Sequence, residues 1–471
     1  MNVGRKLKRF TWVVLVLALL MLTLAGCSKK TEQTTSSKST GEVYPENGLP
    51  KDQKVKLSVL MPSQGYGKDY FMYAVKTFEE KFPNVEVDVR WVEGRPAYRN
   101  LIQSLLQSGN DNDMYDYFYG FESWTEQLIE QGKVETQNEL WERTLYDNPK
   151  LKVKDAILAD ERLVFKNGNI YSLPEGISAM GLFYNKKMFQ KMGWNEEPKN
   201  WEEFLALCAQ IKKAGINPMV IAGQKPGYFT YTWGAIPFEV GGQKYADDLY
   251  NWKPDIYISK PYLTMLERLE TFVAKDYFHP GAISFDHTQS QMEFLQGKAA
   301  MVSSGCWIEK EMENVMPGDF QWGFMPFPGN DKGQKQVILT SESQPGYIWK
   351  GRPELNKKWA KEFKLWCLNL AVQKEFMVTG IIPVRRDFNL DSKSGKVSSV
   401  SVVQDAIKNQ KVTVQTNRPD FRVKPISNVE MAKFNKTMTD GYVKIITKKA
   451  TAKAVAQETN KQYMKGLAAD K

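Results

Sequence analysis

Between residues 296 and 312 the chain reads QGKAAMVSSGCWIEKEM, and here residue types and spacing first suggest chemistry. The apolar run Ala299-Ala300-Met301-Val302 is strand-sized, and Ser303-Ser304-Gly305 reads as a small polar turn. Trp307 stands where the chain re-enters a charged, helix-forming segment. A turn without bulky side chains leaves backbone N–H groups reachable, and a tryptophan beside it offers a flat apolar face, a pairing suited to holding a sugar ring. The competing reading is that Trp307 packs into a core, the commoner fate of a large aromatic. Similar candidates lie where strands hand over to loops: Gln64 and Tyr66 after the first strand, Phe121 and Glu122 after the third. Tyr231 and Trp233 sit in an aromatic-rich segment, residues 228–234, that reads as a loop. Aromatic faces suit the C–H side of a pyranose, and carboxylates and amides suit its hydroxyls. The bland alternatives are a surface tyrosine at Tyr66, a dipole-favoured helix carboxylate at Glu122 and core packing at Tyr231.

Other chemistries are poorly supplied. His279 and His287 are the only histidines in 471 residues, which argues against histidine-based catalysis or a zinc site. Cys208, Cys306 and Cys367 are widely spaced among apolar residues and read as buried small hydrophobes, without a disulfide or metal pattern. Asp111-Asn112-Asp113 with Glu122 resembles a calcium loop, but Asp116 stands where glycine is needed and Tyr115 holds a ligand position. No metal and no cofactor are expected. The formal charge is +10 with Lys and Glu interspersed, a solvated surface rather than a nucleic-acid-binding block.

The N-terminus addresses the compartment. Arg5, Lys6, Lys8 and Arg9 precede an apolar run from Trp12 to Leu22, too short for a membrane span and typical of an export signal. Leu24-Ala25-Gly26-Cys27 resembles a bacterial lipobox, which implies cleavage after residue 26 and a diacylglyceryl thioether on Cys27. Two acyl chains give stable anchoring where one is marginal. The alternative is a plain secretory signal with an incidental cysteine. Loss of residues 1–26 removes four cations and leaves +6, suited to a position beside an anionic envelope. Residues 27–53, with TEQTTSSKST and two prolines, cannot bury a core and read as a flexible tether.

From residue 54 the elements that must position the candidates become legible. Val55, Leu57, Val59 and Met61 alternate as a strand; Phe71, Val75, Phe78 and Phe82 recur at helical spacing; Val85, Val87, Val89 and Trp91 alternate again. Strand, helix, strand predicts a parallel sheet of an α/β protein. Further on, Leu101 to Leu106 predict a helix ended by Gly109, residues 114–119 a third strand, and Asn200 with Glu203 a capping box before a helix stopped by Gly215. Residues 359–376 predict one long buried helix, in which Trp359 and Trp366 are core, as is Trp201. The C-terminal segment from residue 451 is also helical.

A succession of loose motifs then spans residues 55–465: FEEKFPNVEV at 78–87, IYSLP at 170–174, FYNKKMF at 183–189, GKAAM at 297–301 with Trp307, and GIIPVR at 380–385. In this order they resemble the family 1 extracellular solute-binding proteins of carbohydrate ABC importers, maltose-binding-protein-like. The resemblance implies a type II periplasmic-binding-protein-like fold: two α/β lobes, each a sheet flanked by helices, joined by a multi-strand hinge. It places hinge crossings near residues 176–181, near 337–347 and just after Arg385. Lobe one would be residues 54–178 and 341–385, and lobe two residues 179–340 and 386–471. It adds Glu175, Ser343, Gln344 and Arg385 as ligand-facing candidates. Glu175 could instead pair with a lysine, and Arg385 could pin the hinge.

The implied function is a non-enzymatic, monomeric lipoprotein on the outer face of a Gram-positive membrane. It captures a carbohydrate, an oligosaccharide in this reading, and delivers it to ABC permease subunits. The rivals are a polysaccharide-acting surface enzyme, which needs a carboxylate pair or base in a cleft, and an importer receptor for a peptide or polyamine.

Overall fold

A computed structural model describes residues 41–63, 66–120, 123–158, 167–343, 345–388, 398–408, 413–416, 426 and 428–470. The chain divides into two units, residues 1–53 and 54–471. The export signal and Cys27 lie outside the described residues. Of the expected tether, residues 41–53 are described: Val43 bridges Pro50, and the N–H of Gly48 donates to the Tyr44 carbonyl at 2.7 Å, closing a turn.

The described residues of the second unit hold two sheets. In the first, β1 (Val55–Ser63) and β2 (Val85–Glu93) pair in parallel from Val55↔Val85 to Ser63↔Glu93, across the helix Asp69–Lys81. β3 (Tyr117–Tyr119) pairs in parallel with β1, and β9 (Gly346–Ile348) pairs antiparallel with β3, giving the order β2-β1-β3-β9. The third strand is shorter than its apolar pattern predicts. Residues Asp111–Asp113 form a 3-10 turn, and the buried Asp116 carboxylate takes the N–H of Ser58 at 2.8 Å, so the ladder starts at Tyr117. Phe71, Phe78, Trp359 and Phe363 pack edge to face beneath this sheet, with centroid separations of 5.2–6.1 Å.

The long helix expected over residues 359–376 is two helices, Glu354–Trp366 and Leu370–Val378. Side chains from elsewhere take the backbone groups that a continuous helix would use. Arg385 Nη1 donates to the Leu368 carbonyl at 3.0 Å, Gln373 Nε2 to that of Cys367 at 2.9 Å, and the N–H of Leu370 donates to Asp147 at 2.7 Å.

The second sheet is organised on β4 (Gly176–Asn185), a ten-residue strand buried along most of its length. Its first half pairs antiparallel with β8 (Val337–Glu342) and with β10 (Ile382–Pro383). Its second half pairs antiparallel with β6 (Ala299–Gly305) and β7 (Trp322–Met325). β5 (Asn217–Val220) and β11 (Thr413–Thr416) extend the order to β11-β8-β4-β6-β5. The chain therefore passes between the sheets after β3, between β8 and β9, and between β9 and β10. The turn expected at Ser303-Ser304-Gly305 is the end of β6 instead, all three residues being buried and laddered to β4.

Beside this sheet Phe204, Trp233, Leu266, Phe272 and Phe327 form a core with the C-terminal helices Val429–Ile446 and Ala452–Ala468. The helix Trp201–Lys213 starts as its spacing predicts: Asn200 Oδ1 accepts the Glu203 N–H at 3.1 Å, while the Glu203 carboxylate reaches back to the N–H of Lys199 at 2.9 Å. Cys208, Cys306 and Cys367 are all fully buried. Among the described residues no helix is long and apolar enough to cross a membrane.

Candidate functional site

The ends of four strands converge on a cleft of about 340 Å³. Tyr66 follows β1 and Tyr119 ends β3; Ser178 and Met180 come from β4, and Glu342 and Ser343 from the end of β8. The opposite wall carries Trp307 and Glu311, just after β6, with Tyr228 and Tyr231 from the helix Pro226–Trp233. A volume of this size with convergent aromatics and few polar groups is typical of a small-ligand site.

Trp307 is placed by its neighbours in the chain. β6 is held to β4 up to Met180↔Gly305, and the Cys306 N–H continues onto the Ala179 carbonyl at 3.1 Å. The indole then folds back over Gly305, where a Cβ would stand 2.3 Å from the ring, so no other residue fits there. Tyr66 and Tyr228 flank the indole edge to face, at 5.9 and 6.1 Å, and Trp307 Nε1 donates to the Tyr228 hydroxyl at 3.2 Å. The half-buried indole therefore lines the cleft with its polar edge already satisfied. Tyr66 carries the aromatic wall to the other side, its hydroxyl 2.7 Å from Ser178 Oγ.

Polar groups surround this wall. Glu311 accepts from Gln291 Nε2 at 2.7 Å, and His287 Nε2 stands 3.8 Å from its other oxygen. Burial pushes the Glu311 carboxyl up, opposed by the Gln291 amide and by His287. His287 in turn stacks on Tyr228 at 5.8 Å. Across the cleft, Ser172 Oγ donates to Glu342 Oε1 at 2.6 Å. Ser343 Oγ is buried with no hydrogen-bond partner among the described residues, although the Ser343 N–H donates to the Gly176 carbonyl at 2.9 Å.

Of the sequence candidates, Trp307, Tyr66, Tyr231 and Ser343 come together in the cleft. Gln64, Phe121, Glu122 and Gln344 lie outside the described residues. The other three sit elsewhere. Trp233 is enclosed by Phe229, Phe272 and Phe327, with centroids 4.4–5.5 Å away. The reason is that residues 226–233 are helical rather than a loop. Tyr228 and Tyr231, three apart, share the cleft face, while Phe229 and Trp233, four apart, share the core face.

Glu175 is fully buried and takes the bland alternative: Lys364 Nζ donates to it at 2.7 Å and Tyr117 Oη at 2.8 Å. Burial pushes its carboxyl up, and the Lys364 ammonium opposes this. Arg385, also fully buried, joins Asp147 at 2.8 Å and Asp387 at 2.6 Å, and so pins the segment that follows β10. The sequence reading missed Tyr228, Tyr119, Glu311 and Glu342. Tyr228 was within reach, since it stands three residues before Tyr231; the others belong to the cleft through sheet topology alone.

Comparison with known proteins agrees with this geometry. A family model described as bacterial extracellular solute-binding protein matches residues 64–374. The melibiose/raffinose/stachyose-binding protein MelE of Bacillus subtilis is 20% identical over 79% of this chain and 80% of its own. The diacetylchitobiose binding protein NgcE of Streptomyces coelicolor is 25% identical over 64% of this chain and 63%, under two thirds, of its own. Among solved structures, apo RafE from Streptococcus pneumoniae superposes with a TM-score of 0.69 over 88% of this chain and 98% of its own, at 17% identity. A chitin oligosaccharide binding protein gives 0.66 over 88% and 100%, at 18% identity. At these identities the structural likeness is one of fold, the two-lobed α/β architecture in which each sheet is flanked by helices. With two thirds of its length matched by the family model, the chain belongs to the bacterial extracellular solute-binding proteins.

Proposed function

We propose that this solute-binding protein is the lipid-anchored receptor of an ABC importer and that its solute is an oligosaccharide. The observation that carries the reading is the aromatic surface of Trp307, Tyr66, Tyr228 and Tyr231, which shares one cleft with hydroxyls and carboxylates. Such a wall gives the C–H face of a pyranose an apolar surface while Ser178, Glu311 and Glu342 meet its hydroxyls. Two relatives named for melibiose, raffinose, stachyose and diacetylchitobiose support the same solute class.

In this reading residues 54–178 and 341–385 form one lobe, and residues 179–340 and 386–471 the other. Tyr66 belongs to the first and Trp307 to the second, so a sugar resting against both rings touches both lobes only when they are closed. Closure is then driven by that differential contact, and the closed form is what a permease accepts. No bond in the sugar is broken. The receptor acts as a monomer held outside the cell by acyl chains on Cys27. Cys27→Ala should shift the protein from the membrane fraction to the medium; retention of the variant in the membrane would refute the anchor.

A thermal-shift screen of melibiose, raffinose and diacetylchitobiose tests the solute class, because a ligand bound only by the folded state raises the midpoint. A shift with peptides or polyamines and none with sugars would overturn it. Glu311 and Glu342, two carboxylates in one cleft, are what the rival enzymatic reading would use. New reducing ends after incubation with an oligosaccharide would favour that reading instead.

A further inference from the structure

Among the described residues, the charged groups that line the cleft are of one sign. Glu311 and Glu342 line it, and among the described residues no lysine or arginine does. Both carboxylates are largely withdrawn from water: Glu342 is 7% exposed and the Glu311 side chain 16%. The His287 imidazole beside Glu311 has its Nε2 turned to that carboxylate at 3.8 Å and its ring stacked on Tyr228. The buried cations of the surrounding frame are already paired, Lys364 with Glu175 and Arg385 with Asp147 and Asp387.

We propose that the cleft selects glycans free of acidic groups, and that Glu311 and Glu342 are the residues that impose this selection. The proposal rests on the sugar-binding reading above and deepens it. A carboxylate accepts hydrogen bonds and donates none, so a sugar hydroxyl can present its proton to either glutamate with a charge-assisted bond. A uronate, sulfate or phosphate group has no proton to offer. It would be drawn from water into a half-enclosed site, next to like charges and with no ammonium or guanidinium among the described lining residues to meet it. Removing an anion from water without a partner is costly, and a like charge at close range adds to that cost. The buried Ser343 hydroxyl, without a partner among the described residues, is the kind of uncharged group that a neutral hydroxyl can satisfy, and it supplies no cation for an acid.

The test compares melibiose, raffinose and diacetylchitobiose, each beside the derivative whose primary alcohols have been oxidised to carboxylates, by calorimetric titration of the intact protein. The expected result is binding of at least one uncharged sugar about tenfold or more tighter than its oxidised derivative. Glu311→Gln or Glu342→Gln should narrow that ratio, because each removes a negative charge and keeps the side-chain size. Far-ultraviolet circular dichroism of both variants guards against a folding defect. Oxidised sugars binding as tightly as the parents would overturn the selection. A ratio that neither variant changes would overturn its assignment to these residues. Binding of peptides or polyamines with no sugar bound would overturn the sugar reading itself, a different failure from either.

Discussion

Replacing Trp307 by alanine removes the largest aromatic surface from the cleft wall while leaving the core of the fold in place. The indole lies over Gly305 with Tyr66 and Tyr228 at its edges, and its half-buried position leaves part of its surface for a ligand. A tryptophan presents about 150–250 Å² in all. If roughly a third of that is covered by a sugar ring, about 50–80 Å² at about 25 cal/mol/Å² gives about 1.2–2 kcal/mol. That corresponds to a loss of roughly 8–30-fold in affinity. Trp307→Phe keeps a smaller face and should lose less. Calorimetric titration reads the affinities, and urea denaturation of the ligand-free variants shows whether the fold survives. Affinity within about twofold of wild type in Trp307→Ala, with the protein folded, would refute the stacking role.

Two further expectations concern the frame that holds the site. Lys364 and Glu175 are fully buried partners at 2.7 Å, so Glu175→Ala strands an ammonium and should cost about 3–5 kcal/mol in urea denaturation, whereas Lys364→Met with Glu175→Leu should recover much of the loss. Equal stability of the single and double variants would contradict this. Glu239 is buried in the second core, accepts the Val337 N–H at 3.1 Å, and has its carboxyl pushed well up by burial. The unfolded chain releases that proton in the ordinary carboxylate range, so above that range the folded state holds one proton more and its stability falls as pH rises. The melting midpoint of wild type relative to Glu239→Gln should therefore drop as pH rises above the ordinary carboxylate range; a constant difference would show that the buried carboxyl does not carry this linkage.

The elements were legible where one residue pattern decides the outcome. Alternating valines at 85–89 can only bury one face of a strand, and Phe71, Val75 and Phe78 only one face of a helix; both appear at those residues. Glycine and asparagine marked helix ends at Gly109 and Asn200 because their local chemistry is independent of tertiary context. The cleft was legible only in part, for two physical reasons. Residues 226–233 are so rich in aromatics that no polar face declares a helix, so Trp233 and Tyr231 looked alike when they occupy opposite faces. Glu175 and Arg385 carry the groups a sugar site would use, and their partners, Lys364 and Asp147, lie roughly 190 and 240 residues away in sequence. Only the pairing of strands shows that such a charge is already spent. Glu311 was hidden for the converse reason: in IEKE it reads as one more surface charge, and burial beside Gln291 and His287 is what turns it into a cleft residue.

Calorimetric titration of the processed protein with melibiose, raffinose and diacetylchitobiose tests the central claim most directly. The expected result is saturable one-to-one binding of at least one of them, with a negative heat-capacity change from apolar surface covered in the cleft. Absence of binding to all three, together with saturable binding of a peptide or polyamine, would contradict it.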